Sequence, residues 1–401
     1  MKNSIFAGLF LFSIISIDPA FSDFESFDIG TTYTLTYLAS LSSGAIESTT
    51  EGFVLKEKVT ISPSDTLTAE NDTLLINPQD EFNNPTLIIK GRLCAFNMRF
   101  RTNSDPPLNG QSGNQIYVTG YCHDGMAEAV LTSCTLQNLF IGISASHGGK
   151  VDIDRCFFQN CPCAGLFLHS QGKSEAKDSF FDHAGVVVNS SLINLHHCTL
   201  KSVGMNVTDL LEGSSISHCD ISQCMDSGIY IREGARGEIR DNEIHDCSYG
   251  VVIASNASLT LQGNIIRDNL DGGLFVTEKA IPKIRQNAFQ RNALNPPRND
   301  GNLALPAIYI DLDSQPNLGW RSDPGNNIFM DSGVIYLYYT GQKTIYAFGN
   351  DWGKPNDAEI EYVIYHRPDD LEDADGSGIL SGWVILNDVI SIPQSREFVL
   401  Y

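Results

Sequence analysis

The sequence predicts an all-β fold, a single-stranded right-handed parallel β-helix solenoid with N- and C-terminal caps. Three observations carry this expectation. A hexapeptide recurs every 20–23 residues, a glycine followed by alternating apolar residues holds a constant place in each unit, and the units are too short to contain a crossover helix.

In chain order, residues 1–22 read as a signal peptide. Lys2 gives a basic start, residues 5–15 (IFAGLFLFSII) form an apolar run too short to span a bilayer, and Ala20 and Ser22 supply small residues before a cut at Asp23. The expected location is therefore exported: secreted, periplasmic or at the cell surface. No later apolar run is long enough to cross a membrane, so no transmembrane segment is expected after cleavage. Residues 23–51, rich in Ser and Thr, read as an N-terminal arm or cap over the first open edge. Residues 52–349 form the parallel β-helix and residues 350–401 the C-terminal cap.

Eight hexapeptides define the repeat: CTLQNL from Cys134, CFFQNC from Cys156, DSFFDH from Asp178, CTLKSV from Cys198, CDISQC from Cys219, NEIHDC from Asn242, NIIRDN from Asn264 and NAFQRN from Asn287. A ninth, NIFMDS from Asn327, follows an insertion rich in Pro, Asn and Asp at residues 295–303. The glycine-led stretch appears as GLFLH from Gly165, GVVVN from Gly185, GIYIR from Gly228, GVVIA from Gly250 and GLFVT from Gly273. A third apolar stretch, as in KVDID, GEIRD and LTLQG, precedes the next hexapeptide. Three short strands per unit, wound so that each lies about 4.8 Å from its counterpart one coil on, give every backbone group a partner. Like residues then stack inside, and Asn242, Asn264 and Asn287 fit an asparagine ladder. Upstream, residues 52–100 alternate with an irregular period and read as the opening coils.

The ten cysteines follow the same repeat. Stacked cysteines in adjacent coils fall within disulfide range, so Cys134–Cys156, Cys198–Cys219 and Cys224–Cys247 are candidate bridges. The favoured expectation is a ladder of buried free thiols acting as small apolar groups. Cys161-Pro-Cys163 alone is a weak metal signal, and no zinc-type spacing occurs. The chain carries 26 Lys and Arg against 48 Asp and Glu, a net charge of −22, and removal of residues 1–22 takes Lys2 and Asp18 and leaves the balance unchanged. Such a chain repels phosphate backbones, which excludes nucleic acid as a partner, and a polyanionic glycan needs a local basic patch.

The pattern in residues 228–247, GIYIREGARGEIRDNEIHDC, resembles the parallel β-helix repeat of pectate lyases and their many non-enzymatic relatives. Residues 349–388, with GNDWG leading to an Ile-rich strand and an Asp-rich loop, are similar to the closing segment of secreted members. The resemblance implies architecture rather than activity, because this fold hosts lyases, hydrolases, epimerases and adhesins. It also implies that any active site lies on the sheet of glycine-led strands.

On that sheet the outward candidates are Phe167 and His169, Val187 and Asn189, Tyr230 and Arg232, Val252, Phe275 and Thr277, Tyr309 and Asp311, with Tyr336 and Tyr338 following. His169, Tyr230, Arg232, Phe275, Tyr309 and Asp311 are candidate glycan-binding residues, since rings pack on sugars and polar groups bond hydroxyls. The weaker alternative is catalytic. Asp311 and Asp313, at i and i+2 of one strand, would lie about 6.5–7 Å apart, suited to an inverting glycosidase. Arg232 would be the base of a lyase but lacks companion aspartates. The loop at residues 369–378 could place Asp373 and Asp375 on calcium, though it has no acid at the last loop position; otherwise no cofactor is expected. His196 and His197, adjacent on one strand, should point to opposite faces. The function expected is an exported, non-catalytic solenoid that binds a polysaccharide or a cell-surface partner, with a polysaccharide lyase or glycoside hydrolase as the alternative.

Overall fold

The structure, a computed structural model, describes residues 24–76, 85–102, 115–120, 127–295, 306–311, 313–330, 335–341 and 343–366, with the backbone of 384–385. The signal segment, Asp373 and Asp375 lie outside the described residues.

Each coil carries three short strands, as in Glu243–His245, Tyr249–Ile253 and Thr260–Gln262. They build three lateral faces, here called the hexapeptide, glycine-led and linking faces. Pairing is parallel and carries each residue onto its equivalent one coil later: Ile244 onto Ile266, Val251 onto Leu274, Leu261 onto Ile284. The chain is a right-handed parallel β-helix, and its one antiparallel pairing among the described strands joins Ile46–Thr49 to Gly52–Leu55.

Alternation along each strand puts one side of every strand into a single core. On the glycine-led face Ile143, Leu166, Val186, Met205, Ile229, Val251, Leu274, Ile308 and Leu337 stack in one buried column. Under the hexapeptides, Phe158 stacks on Phe181 at 4.5 Å and Phe329 on Trp352 at 4.3 Å between ring centroids.

The asparagine ladder is present. Asn264 Nδ2 donates to Asn287 Oδ1 and to the Ile239 carbonyl, both at 2.9 Å, while its Oδ1 accepts from Asn242 N at 3.0 Å and Asn242 Nδ2 at 2.9 Å. The ladder continues through Asn327 to Asn350. A second ladder, Asn269 to Asn292, runs at the far end of the hexapeptides.

Three corners per coil are turned by left-handed residues, most of them not glycine. One corner holds Asp178, His197, His218 and Asp241, a second holds Asn160, His183, Gln223, Asp246 and Asp268, and the third holds Ser170, Ser190, Asp209, Glu233, Ser255 and Glu278, all at φ between 47° and 60°. Asn, Asp and His tolerate this region better than most residues. The turn lets the corner amide continue the stack, as where Asp268 N donates to the Gln290 carbonyl at 3.0 Å. It also overturns the expectation for His196 and His197. Because the strand ends at His196 and His197 sits at φ 54°, the two rings meet at 5.9 Å, and His197 stacks on His218 at 4.9 Å.

The glycine opening each glycine-led strand answers a different need, close approach. A Cβ at Gly250 would lie 2.5 Å from the Gly273 carbonyl oxygen, and one at Gly204 would lie 2.2 Å from that of Gly228.

The stack extends past the boundaries expected from the repeat. Phe24–Glu25 and Thr32–Thr34 pair with Val59–Ile61 and Thr66–Glu70, so the segment expected as an arm or cap lies on the first edge as strands. The helix Leu35–Leu41 that follows, N-capped by Thr34, buries Leu35 and Leu38. At the other end Ile364–Tyr365 pairs with Leu337–Tyr339. Among the described residues no helix is long and apolar enough to cross a membrane.

Candidate functional site

The glycine-led face presents an outward column running Tyr117, Ser144, Phe167, Val187, Asn206, Tyr230, Val252, Phe275, Tyr309, Tyr338, Tyr365. Its last four members are all aromatic and touch in sequence. Phe275 to Tyr309 is 5.5 Å, Tyr309 to Tyr338 is 5.7 Å and Tyr338 to Tyr365 is 4.5 Å between centroids, with Tyr249 edge-on to Phe275 at 4.8 Å. The rings lie against one another, so they offer outward a strip of ring edges and phenol groups. Burial pushes the Tyr309 phenol up, partly offset by its hydrogen bond with Thr340, so it stays protonated. Tyr336 does not belong to this strip: it is 6 % exposed and stacks on Phe329 at 5.8 Å, because it precedes the strand and turns into the core.

At mid-face, Arg232 Nε donates to Thr208 Oγ1 at 3.0 Å, and its guanidinium lies 5.8 Å from the Tyr230 ring centroid. Glu233 stands 3.9 Å away. Burial pushes the Tyr230 phenol up. Arg232 is thus held by its neighbours.

Asp311 and Asp313 do not share a strand face. The strand ends at Ile310, and both Asp311 oxygens are engaged: Oδ2 accepts from Glu278 N at 2.8 Å and Oδ1 from Ser314 Oγ at 2.7 Å. Asp311 closes the turn, and Asp313 is exposed beyond it. The geometric premise for an inverting pair on one strand fails here.

A second cluster stands at the N-terminal end of the face. The sequence reading found only His169 and Phe167 of it. Ser146 Oγ lies 2.6 Å from Tyr117 Oη and 3.0 Å from His147 Nδ1. The His169 ring stacks on Phe167 at 5.1 Å and is parallel to Tyr117 at 6.2 Å. Burial lowers both imidazoles, His169 further through the neighbouring His147, so both are neutral at pH 7. A hydroxyl shared between a phenol and a neutral imidazole can relay a proton. Tyr117 was missed because the segments on both sides of its strand depart from the repeat period.

On the linking face His196, His197, His218, Glu175 and Arg240 line a shallow depression of about 380 Å³. Among the described residues no three His, Cys, Asp or Glu side chains converge to hold a metal.

Residues 184–345 match the family described as right handed beta helix region. No curated protein matches the chain. Among solved structures the chain is similar to the periplasmic alginate epimerase AlgG, at 12% identity over 82% of this chain and 74% of that one, with a TM-score of 0.43. It is also similar to the A-module of the Azotobacter vinelandii mannuronan C-5 epimerase AlgE4, at 14% identity over 71% and 86%, with a TM-score of 0.37. Likenesses at this level carry no argument about activity.

Proposed function

We propose that this right-handed parallel β-helix protein is exported and holds a neutral polysaccharide along its glycine-led face. The observation that carries the reading is the unbroken outward strip of Tyr249, Phe275, Tyr309, Tyr338 and Tyr365. Ring edges give apolar contact to sugar C–H groups, and phenols exchange hydrogen bonds with hydroxyls. The strip repeats at the coil spacing of about 4.8 Å, so an extended polymer lying along the axis meets the same surface at each step.

Charge argues for the neutral class. Arg232 is the one Lys or Arg on the outward columns described above, and it is already engaged with Thr208 and Glu233. A chain of net charge −22 repels a polyuronate unless a basic patch opposes it.

Calorimetry against a panel of neutral and uronate polysaccharides tests the reading. Neutral polymers should bind, and Tyr309→Ala with Tyr338→Ala should weaken them about tenfold or more, in the manner of an interface hot spot. Binding to uronates alone, or to nothing, removes it.

A second reading, cleavage of the bound polymer, has one favouring observation, the hydroxyl of Ser146 shared by Tyr117 and His147 beside a neutral His169. Release of reducing ends or of unsaturated products, lost in Tyr117→Phe and in His169→Ala, would support it. Absence of both products across the panel would leave binding alone.

A further inference from the structure

Six buried cysteines occur as three couples stacked in adjacent coils, and their thiols are free in this structure. We propose that they are the sites of three inter-coil disulfides, Cys134–Cys156, Cys198–Cys219 and Cys224–Cys247.

Register places the partners. Thr135 pairs with Phe157 and Thr199 with Asp220, which sets Cys134 over Cys156 and Cys198 over Cys219 one residue earlier. Ser222 pairs with His245, and Ser248 N donates to the Cys224 carbonyl, which sets Cys224 beside Cys247. Directly stacked residues have Cα atoms about 4.8 Å apart, inside the range a disulfide spans. Within the first couple Cys134 N donates to Cys156 Sγ at 3.4 Å. Other pairings within these hexapeptides are closed off by the same geometry. Cys156 and Cys161, or Cys219 and Cys224, stand at opposite ends of a hexapeptide, about 15 Å apart along an extended strand.

The column shows why cysteine rather than another small residue occupies these places. Further along, the asparagines at equivalent positions bond upward and downward through full-strength hydrogen bonds at 2.9–3.1 Å. The thiols reach carbonyls only at 3.2–3.8 Å, as weak donors. Ser179, with an Oγ donating at 2.7 Å to the Lys177 carbonyl and accepting from Cys156 N at 2.9 Å, meets the same need without sulfur. Ser179 also divides the first column into two couples, so every cysteine of the six has one cysteine neighbour. Cys161 lies between Leu139 and Ala184 positions and pairs in register with Ala184, and Cys94 pairs in register with Thr68 and Val130, so neither has a partner.

Formation needs an external disulfide as oxidant. One thiolate attacks it and releases a thiol, giving a mixed disulfide. The stacked thiolate then displaces the second thiol and forms the Sγ–Sγ bond. Two protons and two electrons leave each couple, and the oxidant departs as two thiols. The six side chains are at most 3 % exposed, so the exchange belongs to folding, before the coils close over them.

The test refolds reduced full-length chain with oxidised and reduced glutathione, denatures without reductant, alkylates and maps the peptides. The expected result is three cross-linked peptides of the stated pairing, with the other four cysteines, Cys94, Cys122, Cys161 and Cys163, alkylated. Folded reduced protein given the same oxidant should stay unbridged over the same time. Cys198→Ser should remove one cross-link and expose Cys219 as one additional alkylatable thiol, with circular dichroism confirming the fold. Alkylation of all six in the refolded chain, or cross-links in any other pairing, overturns the proposal.

Discussion

Asn264 shows what a single interior position does in this fold. Its side chain serves two neighbouring asparagines and the Ile239 and Gln262 carbonyls, and it is fully buried. Asn264→Ala strands the backbone N–H and one Nδ2–H of Asn242 away from water, at roughly 1–3 kcal/mol for each group left unpaired, while Asn287 Oδ1 keeps the bond from the Asn264 amide. The expected loss is about 2–4 kcal/mol by urea unfolding, whereas Gln262→Ala, at an exposed site, should change stability by less than about 0.5 kcal/mol. Equal effects for the two would refute the ladder as an energetic feature. His169 makes a second residue-scale claim. Burial against Phe167 and Tyr117, and then the neighbouring His147, hold its imidazole below the ordinary 6.5. A histidine depressed in the folded state contributes stability above the unfolded value, and that contribution is lost as pH falls through the folded one. Proton NMR should therefore place the His169 midpoint under 6.5, and His169→Gln should flatten the fall in stability on the acid side of that value.

At the scale of an element, the N-terminal strand segment hangs on one carboxylate. Asp65, 1 % exposed, accepts from Ser26 Oγ at 2.6 Å and from the amides of Asp28, Ile29 and Thr31 at 2.8, 3.2 and 2.9 Å. Burial pushes this carboxyl up, but the hydrogen bonds from Ser26, Thr31, Asp28 and Ile29 together outweigh it and hold it below 3.8. The contribution is present above 3.8 and is lost as pH falls through the lower folded value. Amide exchange at Thr31 should therefore accelerate on acidification relative to Val251, and Asp65→Ala should produce the fast rate at neutral pH. Thr31 protected equally in both proteins would contradict the anchoring role. This element also marks where sequence reading stops. The hexapeptides from Cys134 to Asn327 were legible because Gly, Cys and Asn recur where the coil geometry leaves no freedom. The strand Phe24–Glu25 carries no repeated residue, so residues 23–51 read only as an arm or cap, and nothing in the repeat singles out Asp65. Tyr117 and His147 escaped for a related reason, since the segments flanking Tyr117 break the period and His147 sits on a left-handed corner at φ 50° that any of several polar residues can occupy. The outward ring column was legible from alternation, but Asp311 and Tyr336 were misplaced because a strand end cannot be located from alternation to within one residue.

For the whole molecule, stability is the sum of coils and of the contacts between successive coils, since among the described strands each pairs with its counterparts in the neighbouring coils. Gly250→Ala probes this directly. The new Cβ would lie 2.5 Å from the Gly273 carbonyl oxygen and 2.6 Å from Ile266 Cγ2, so the backbone of two successive coils must part. Overpacking of this kind costs roughly 1–3 kcal/mol. In a globular core the cost is shared, and protection falls everywhere. In a solenoid it stays local, because Val251 bonds only to the coils of Ile229 and Leu274. Hydrogen exchange should accordingly rise at Ile229, Val251 and Leu274 while Ile143 and Leu166, several coils away, keep their native rates. The aromatic strip begins at Tyr249 and Phe275 in the perturbed region, so glycan affinity should fall in Gly250→Ala even though no strip residue is changed. A uniform loss of protection from Ile143 to Leu337 would mean that the coils unfold as one cooperative unit, and the nearest-neighbour account would have to be replaced.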